Sequence, residues 1–246
     1  DIMSLLIPTR RALLHKPPVA AGGALGLQTN LGSFFSLDNT LADATGAVTD
    51  LTNNNTVTFV STPGSGFTAI SQVANFVGAS SQYLSHADAT GINVAGVDFS
   101  IQVWLYPTGT GFIASKTTGG FGSREYELSR PFATGGSDPF RAQLNNGGAI
   151  TSANNAASAW HHYVLTYNNS TNAMILYVDG SSAATGSSSS DGAGTSTLYI
   201  GAAGDLTTFW SGNMALFGTW RSRILSAPDV TALYNGGAGL SYAAMV

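Results

Sequence analysis

The chain contains no cysteine and carries few charges. Without cysteine there can be neither disulfides nor thiolate metal sites. Charged residues make up only 9% of the sequence, the formal net charge is −4, and the nine lysines and arginines form no long run. A basic nucleic-acid-binding surface is therefore not expected. No apolar run approaches the roughly 18 residues of a membrane-spanning helix, so we expect no membrane insertion.

Glutamate is scarce as well, and its two occurrences, Glu125 and Glu127, are separated by one residue. On a strand this spacing puts both side chains on one face, about 7 Å apart. A retaining glycosidase needs two carboxylates about 5–5.5 Å apart. Arg124 and Arg130 flank the pair and would keep both carboxylates ionised, which does not suit a general acid. We therefore expect a solvated strand face here rather than a catalytic pair.

What the chain has in abundance is glycine, 30 residues, together with small polar residues and short apolar runs. Segment 99–105 alternates strictly between apolar and other residues, which is typical of a half-buried strand. The runs 160–167 and 173–178 flank a polar turn, and the second ends at Asp179-Gly180, a strong turn signal. These features predict antiparallel hairpins, and many short strands at regular spacing favour a two-sheet sandwich.

One short helix is predicted near the C-terminus. Ser226 is the expected N-cap, with Asp229 three residues later as an acidic variant of the capping box. Leu225 and Val230 occupy the hydrophobic staple positions. The helix should run through Leu233-Tyr234 and stop at Gly236, which tolerates the left-handed C′ conformation.

The first 27 residues differ from the rest and predict an extended N-terminal arm. Pro8, Pro17 and Pro18 disfavour both helix and central strand. Arg10-Arg11 resembles a twin-arginine export signal, but the segment after it is poorly hydrophobic. An arm of this composition should pack on its own domain or on a neighbouring subunit. Its expected anchoring residues are Leu5, Leu6, Ile7, Leu13 and Leu14.

From residue 28 to 246 we expect a single domain, and its ordered motifs resemble a known family. Segments 34–38, 73–84, 99–107, 160–162 and 177–180 match in order and kind, followed by 198–201 and the helix at 225–236. This set resembles the laminin-G-like, concanavalin A-like lectin/glucanase jelly-roll domains. The resemblance implies an all-β, two-sheet antiparallel jelly-roll sandwich, here with an extended N-terminal arm and one short C-terminal helix.

The resemblance also implies a glycan-binding or adhesion module, although the same sandwich hosts glycosidases. Phe121, in a Gly-rich loop, and Trp210, before the last strand, are the best candidates for an aromatic rim that binds glycans. We expect no cofactor and no metal ligand set. Calcium is the metal that the loops could best accommodate, through oxygen ligands. The aspartates in predicted loops or turns are Asp138, Asp179, Asp191 and Asp205.

Three functions stay open. The first is a non-enzymatic structural or adhesion module on a phage or virus surface, a capsid decoration or tail-associated protein. Its arm would bind neighbouring subunits, and its sandwich would face outward to surface glycans. The second is a secreted lectin-like module whose arm folds back on its own sandwich. The third is a glycoside hydrolase, which requires Glu125 and Glu127 to line a cleft.

Overall fold

A computed structural model describes residues 26–117, 124–131, 137–145, 147–188 and 194–246. These ranges form fifteen strands and one α-helix. The strands are β1 (Leu31–Phe35), β2 (Thr52–Asn54), β3 (Thr58–Ser61), β4 (Gln72–Phe76), β5 (Tyr83–His86), β6 (Phe99–Pro107), β7 (Gly111–Thr117), β8 (Arg124–Arg130), β9 (Ser137–Gln143), β10 (Ala149–Ala156), β11 (His161–Asn168), β12 (Ala173–Val178), β13 (Ser181–Ser187), β14 (Leu198–Ile200) and β15 (Gly212–Arg221). The helix α1 spans Ala227–Tyr234, and single 3₁₀ turns lie at Gly78–Ser80, Thr90–Ile92, Asn235–Gly237 and Tyr242–Met245.

The strands form two antiparallel sheets. The first sheet has eight strands in the order β13-β12-β11-β6-β15-β4-β3, with β1 also paired to β15. The second has seven strands in the order β10-β9-β8-β7-β14-β5-β2. The predicted all-β, two-sheet antiparallel sandwich is confirmed, and so is the hairpin of β11 and β12, in which Tyr163 pairs with Val178.

The main core lies between the two sheets. The apolar side chains that alternate along β6 form part of it. Phe99, Ile101, Val103 and Leu105 are all fully buried there. They share one hydrophobic cluster with side chains from the second sheet, including Tyr126 and Leu128 of β8.

The opposite face of β6 is buried as well, so the prediction of a half-buried strand is wrong for that face. Trp104 lies in a second hydrophobic cluster on the outer face of the first sheet. Val230 and Leu233 of α1 belong to the same cluster, together with Trp220 of β15. The helix and its flanking loops cover this face, and local alternation cannot reveal a cover supplied from more than a hundred residues away.

The helix signals are confirmed. The Ser226 hydroxyl accepts a hydrogen bond from the Asp229 N–H, and the Asp229 carboxylate accepts one from the Ser226 N–H at 2.9 Å. Leu225 and Val230 are both buried. At the other end the left-handed conformation begins at Asn235, with φ 49°, and continues at Gly236, with φ 62°. The helix therefore runs through Tyr234 as predicted, and the left-handed residue that stops it comes one position before the predicted glycine.

The predicted arm lies almost entirely outside the described residues, including Leu5, Leu6, Ile7, Leu13 and Leu14. Leu27, the last residue of that predicted segment, is buried in the second cluster. Its N–H donates to the Met245 carbonyl at 3.1 Å, and its own carbonyl accepts from the Trp220 indole at 2.6 Å. In the part of the chain that the structure describes, no helix has the length and apolar character needed to cross a membrane.

Candidate functional site

The two glutamates do not form a solvated strand face, so that prediction is wrong. Both side chains are buried, at 1% and 3% exposure, on β8. Glu125 accepts hydrogen bonds from the N–H groups of Val94 and Ala95 at 2.9 and 3.0 Å, and it forms an ion pair with Lys116. The loop that precedes β6 folds over the end of β8 and removes this carboxylate from water. Burial raises the pKa of Glu125, which the Lys116 ammonium partly offsets.

Glu127 is held by arginines rather than aimed at a substrate. Its Oε2 accepts from the Arg124 Nε at 2.8 Å, and its Oε1 lies 3.8 Å from Arg141 Nη1. The flanking Arg130 pairs with Asp138 at 3.0 Å instead of with either glutamate. Each carboxylate is therefore occupied by a structural ion pair, and neither of the two clefts described below is lined by Glu125 or Glu127.

No metal site emerges from the described ranges, where no group of three histidines, aspartates or glutamates comes together. Asp138 lies on β9 rather than in a loop and pairs with Arg130. Asp179 occupies the predicted turn and accepts from the His161 ring, with Nδ1 2.8 Å from its Oδ2. Asp205 closes a local turn onto Thr207 at 2.7 Å. Asp191 lies outside the described residues.

The two predicted rim aromatics do not define a site. Trp210 is fully buried, with 0% exposure, in the main core, so the prediction that it forms an exposed platform is wrong. The reason is backbone pairing, because the Trp210 N–H donates to the Gly201 carbonyl at 2.9 Å and turns the indole inward. Phe121 lies outside the described residues.

Partly exposed aromatic rings converge instead at an open cleft on the outer side of the first sheet. The cleft has a volume of about 380 Å³. It is lined by Gly64, Ser65, Tyr106, Ser158, Trp160 and Tyr234, among others. We call it the aromatic cleft.

Strand register brings Tyr106 and Trp160 together. Tyr106 follows Trp104 by two residues on β6 and so lies on the same outer face. His161 pairs with Leu105, which places the preceding Trp160 across from Tyr106. The two ring centroids are 5.6 Å apart at 59°.

The Trp160 indole is fixed in place by its neighbours. Its Nε1–H donates to the Pro63 carbonyl at 2.7 Å, and its ring lies 4.5 Å from that of the buried Phe67. Both partners belong to the loop between β3 and β4. A ring held on one side and open on the other is a pre-organised contact surface.

Glycine at position 64 is required by this arrangement. Gly64 has φ +71°, a conformation that side chains other than glycine seldom adopt, and a Cβ there would come within 3.1 Å of the Tyr106 ring. The loop therefore presents backbone rather than side chain at this edge of the cleft.

Tyr234 supplies the third aromatic wall from the last residue of α1. Its ring stacks on Trp104, with centroids 5.8 Å apart and planes within 9°. Gly180, in the turn after β12, packs against the same ring, since a Cβ there would lie 2.9 Å from it. Burial, and then the nearby charge of Asp179, raise the pKa of the Tyr234 hydroxyl, which keeps it neutral.

His161 and His162 are adjacent on β11, so their side chains point to opposite faces of the strand. His162 stacks on Trp104 at 5.0 Å, and its Nε2 is 3.1 Å from Gln102 Oε1. Burial lowers the pKa of His162 to about 3, so it is neutral near pH 7. His161 faces Phe140 of the main core. His162 therefore supports the cleft from below, His161 lies on the core side, and the two rings do not face a common metal.

Sequence reasoning missed Tyr106, Trp160 and Tyr234 as site residues. The available signal was the outer-face position of Tyr106, next to Trp104 in the alternation of β6. The pairing of β6 with β11 and the placement of α1 over this face come from long-range contacts, so they could not be read from any local pattern.

The described strands form an antiparallel β-sandwich of two sheets. The model of the concanavalin A-like lectin/glucanases superfamily matches residues 78–231, more than half of the chain. The chain belongs to this superfamily. No curated protein matches the chain in sequence.

Solved structures of similar fold include domains of several proteins. One is domain 4 of AbnA, a GH43 extracellular arabinanase from Geobacillus stearothermophilus, in complex with arabinotriose. It has a TM-score of 0.63 and 16% identity over 82% of this chain and 97% of that one. The binding domain of Paraclostridial Mosquitocidal Protein 1 gives 0.63 and 16%, over 86% and 53%. The botulinum neurotoxin serotype G binding domain gives 0.59 and 15%, over 83% and 50%. The chain spans about half the length of these two toxin domains, and at such identities the similarity establishes the fold.

Proposed function

We propose that this protein is a non-catalytic carbohydrate-binding module and that the aromatic cleft holds the sugar. The observation that carries the proposal is the convergence of Tyr106, Trp160 and Tyr234 on one open cleft. Sugar rings present C–H faces that pack on aromatic rings, and their hydroxyls need short polar groups and backbone atoms close by. Ser65, Ser158 and the backbone of Gly64 supply these beside the rings.

The structural neighbours support this choice of ligand class. The arabinanase domain of similar fold is bound to arabinotriose. That domain is also nearly the same size as this chain, 97% of it being covered. Arabinotriose is therefore the first oligosaccharide to test, within a wider panel of neutral glycans.

The ion pairs of β8 support a binding role over hydrolysis. Glycoside hydrolysis needs two carboxyl groups that reach the sugar, one of them protonated. Glu125 and Glu127 are buried, paired with cations and absent from the lining of the aromatic cleft. Glu127→Gln should therefore leave any glycan binding at this cleft unchanged.

The test is to compare the wild-type protein with Trp160→Ala on a glycan array and by isothermal titration with arabinotriose and any array hit. Loss of the indole should weaken binding by about fivefold or more, because an aromatic contact of this type contributes on the order of 1 kcal/mol or more. Trp160→Phe keeps a ring and should retain part of the affinity. Thermal unfolding of each variant checks that the sandwich is intact.

Tyr199→Ala is the matched control. Tyr199 is a partly exposed aromatic on β14 of the other sheet, where its ring contacts Tyr83 at 5.8 Å. Its removal should leave binding unchanged. Equal binding by wild type and a folded Trp160→Ala, or loss of binding in Tyr199→Ala instead, would place the sugar elsewhere and contradict the proposal.

The predicted N-terminal arm also bears on where the module works, and we include its location in the proposal. The module then acts outside the cell, on a cell or virion surface, with the predicted arm of residues 1–27 anchoring it to neighbouring subunits. The apolar composition of the arm supports anchoring, and the extracellular arabinanase of similar fold supports the location. Gly26, the first described residue, is held beside the loop between β15 and α1 by Arg223, whose Nη1 donates to its carbonyl at 2.7 Å.

Light scattering on full-length protein and on a chain lacking residues 1–24 tests the anchor. An assembly device predicts a particle mass well above 25.2 kDa for the full chain and a folded monomer after deletion. A full-length monomer that loses stability on deletion would support the self-packed arm of a secreted lectin instead.

A further inference from the structure

A second cleft lies on the other sheet, at the start of β7. It has a volume of about 220 Å³ and is lined by Thr110, Phe112, Arg130, Pro131, Arg141 and Thr208, among others. We call it the arginine cleft. It shares no lining residue with the aromatic cleft.

Strand register explains why these residues meet. Phe112 of β7 pairs with Ser129 of β8, and Ser129 pairs with Arg141 of β9. Directly opposed residues point to the same face of a sheet, so the Phe112 ring and the Arg141 guanidinium border the same strip of surface. Arg130 follows Ser129 on β8 and also lines the cleft.

Arg141 keeps capacity to bind an anion. Its Nη1 is 3.8 Å from Glu127 Oε1, the outer limit of an ion pair, while the other oxygen of Glu127 is taken by Arg124 at 2.8 Å. Its Nη2 donates to the neutral Gln143 amide oxygen at 2.7 Å. A third of the Arg141 side chain is exposed, so the guanidinium reaches solvent.

Arg130 carries a buried charge, and one of its N–H donors has no hydrogen-bond partner in the described structure. It is 1% exposed, pairs with Asp138 at 3.0 Å, and donates to the carbonyls of Gly109 and Asn155 at 2.8 and 3.0 Å. Its Nε has no hydrogen-bond partner within the described structure. A buried guanidinium donor without a partner is costly unless an acceptor reaches it.

We propose that the arginine cleft binds the carboxylate of an acidic sugar, a uronic acid residue in a polysaccharide. A guanidinium matches the planar, two-oxygen geometry of a carboxylate. The Phe112 ring and Pro131 offer an apolar surface to the sugar ring, and the hydroxyls of Thr110 and Thr208 lie at the rim for its hydroxyl groups. The site uses no residue of the aromatic cleft, so it stands or falls independently of the function proposed above.

The probe is trigalacturonic acid, compared with its fully methyl-esterified form. Esterification removes the negative charges and leaves the sugar rings unchanged. We expect the acid to bind at least about tenfold more tightly than the ester in isothermal titration, since a lost charge-assisted pair costs on the order of 1.4 kcal/mol or more. Affinity for the acid should fall as salt rises. Equal binding of acid and ester would overturn the proposal.

Arg141→Gln should remove this preference, and Arg141→Lys should keep only part of it because lysine cannot bind in the two-pronged mode. Arg221→Gln is the matched control: it removes the same charge from β15, where Arg221 donates to the Asn93 carbonyl at 3.1 Å. If Arg221→Gln weakens acid binding as much as Arg141→Gln, the effect is one of overall charge and the site is refuted.

A second pair of variants avoids the ion-pair network of β8 and β9. Thr208 is exposed at the rim of the cleft, so substitution there should not affect folding. Thr208→Glu should repel the carboxylate and weaken acid binding severalfold more than Thr208→Gln does. Identical affinities for the two variants would contradict the proposal.

Trp160→Ala separates the two clefts. The acid preference should persist in this variant if the arginine cleft is the site. Loss of the preference would mean that the acid binds in the aromatic cleft, which overturns this inference while supporting the first. A wild-type protein that prefers the acid but binds no neutral glycan would do the reverse.

Discussion

Burial affects the protonation of single residues in this sandwich more than neighbouring charges do. His162 is the clearest case, since it is enclosed between Trp104, Tyr234 and Gln102 and its pKa is lowered to about 3. An unfolded chain would take up a proton at this position near pH 6.5. Between pH 6.5 and 3 the unfolded state therefore binds more protons than the folded state, and stability falls as the pH falls.

We expect the acid loss of stability to be smaller in His162→Gln than in the wild type. A shift of this size corresponds to at most about 5 kcal/mol, lost progressively from pH 6.5 down to 3. Chemical denaturation at a series of pH values measures the slope for each protein. Parallel wild-type and variant curves over this range would show that His162 is not the responsible group.

Glu125 has the opposite dependence on pH. Because burial raises its pKa, the folded state holds the proton to a higher pH than the unfolded state does. Its contribution to stability therefore declines as the pH rises through the interval between the ordinary and the raised value. Glu125→Gln should remove this decline. The stability difference between wild type and variant should be more favourable to the wild type at pH 4 than at pH 7, and the reverse order would disprove the assignment.

At the scale of elements, α1 matters because it carries one wall of the aromatic cleft. Ser226 and Asp229 exchange hydrogen bonds at its start, and Tyr234 is its last residue. Ser226→Ala should lower the free energy of unfolding by about 1 kcal/mol, the usual cost of losing an N-cap.

The same substitution should weaken glycan binding only slightly, because Tyr234 is also held by stacking on Trp104. Thermal unfolding and titration with the same oligosaccharide measure the two effects. A large loss of affinity without loss of stability would mean that the helix start, and not Tyr234, contacts the sugar.

The elements also show what local sequence can predict. The β11–β12 hairpin and the helix caps depend on residues within a few positions of one another, and both were predictable. The burial of Trp104 depends on α1, and the burial of Trp210 depends on pairing with Gly201. Neither contact leaves a local signal. For this reason the prediction that the outer face of β6 is exposed was wrong, and so was the prediction that Trp210 is exposed.

The aromatic cleft was missed for the same reason. It joins β6, the start of β11, the β3–β4 loop and the end of α1, segments that span residues 64 to 237. Each aromatic residue alone is ordinary in a sandwich protein. Their convergence follows from sheet order, and sheet order is a property of the whole chain.

At the scale of the whole molecule, two clefts of different chemistry lie on opposite sheets of one sandwich. The aromatic cleft offers ring faces and hydroxyls, and the arginine cleft offers guanidinium groups beside a phenylalanine. Tyr106, near the end of β6, lines the first, and Thr110, just before β7, lines the second. A polysaccharide that carries neutral and acidic sugars would engage both, and two linked contacts bind more tightly than either alone.

The most direct test of the central claim uses the four tryptophans, because three are buried and only Trp160 is partly exposed. Nuclear magnetic resonance of the indole N–H groups during titration with arabinotriose, or with the best neutral glycan from the array, reports on each tryptophan separately. Trp160→Phe assigns its signal. We predict that the Trp160 signal shifts most and saturates with the binding isotherm, while those of Trp210 and Trp220 stay in place. Saturable binding that leaves the Trp160 signal unmoved would contradict the account.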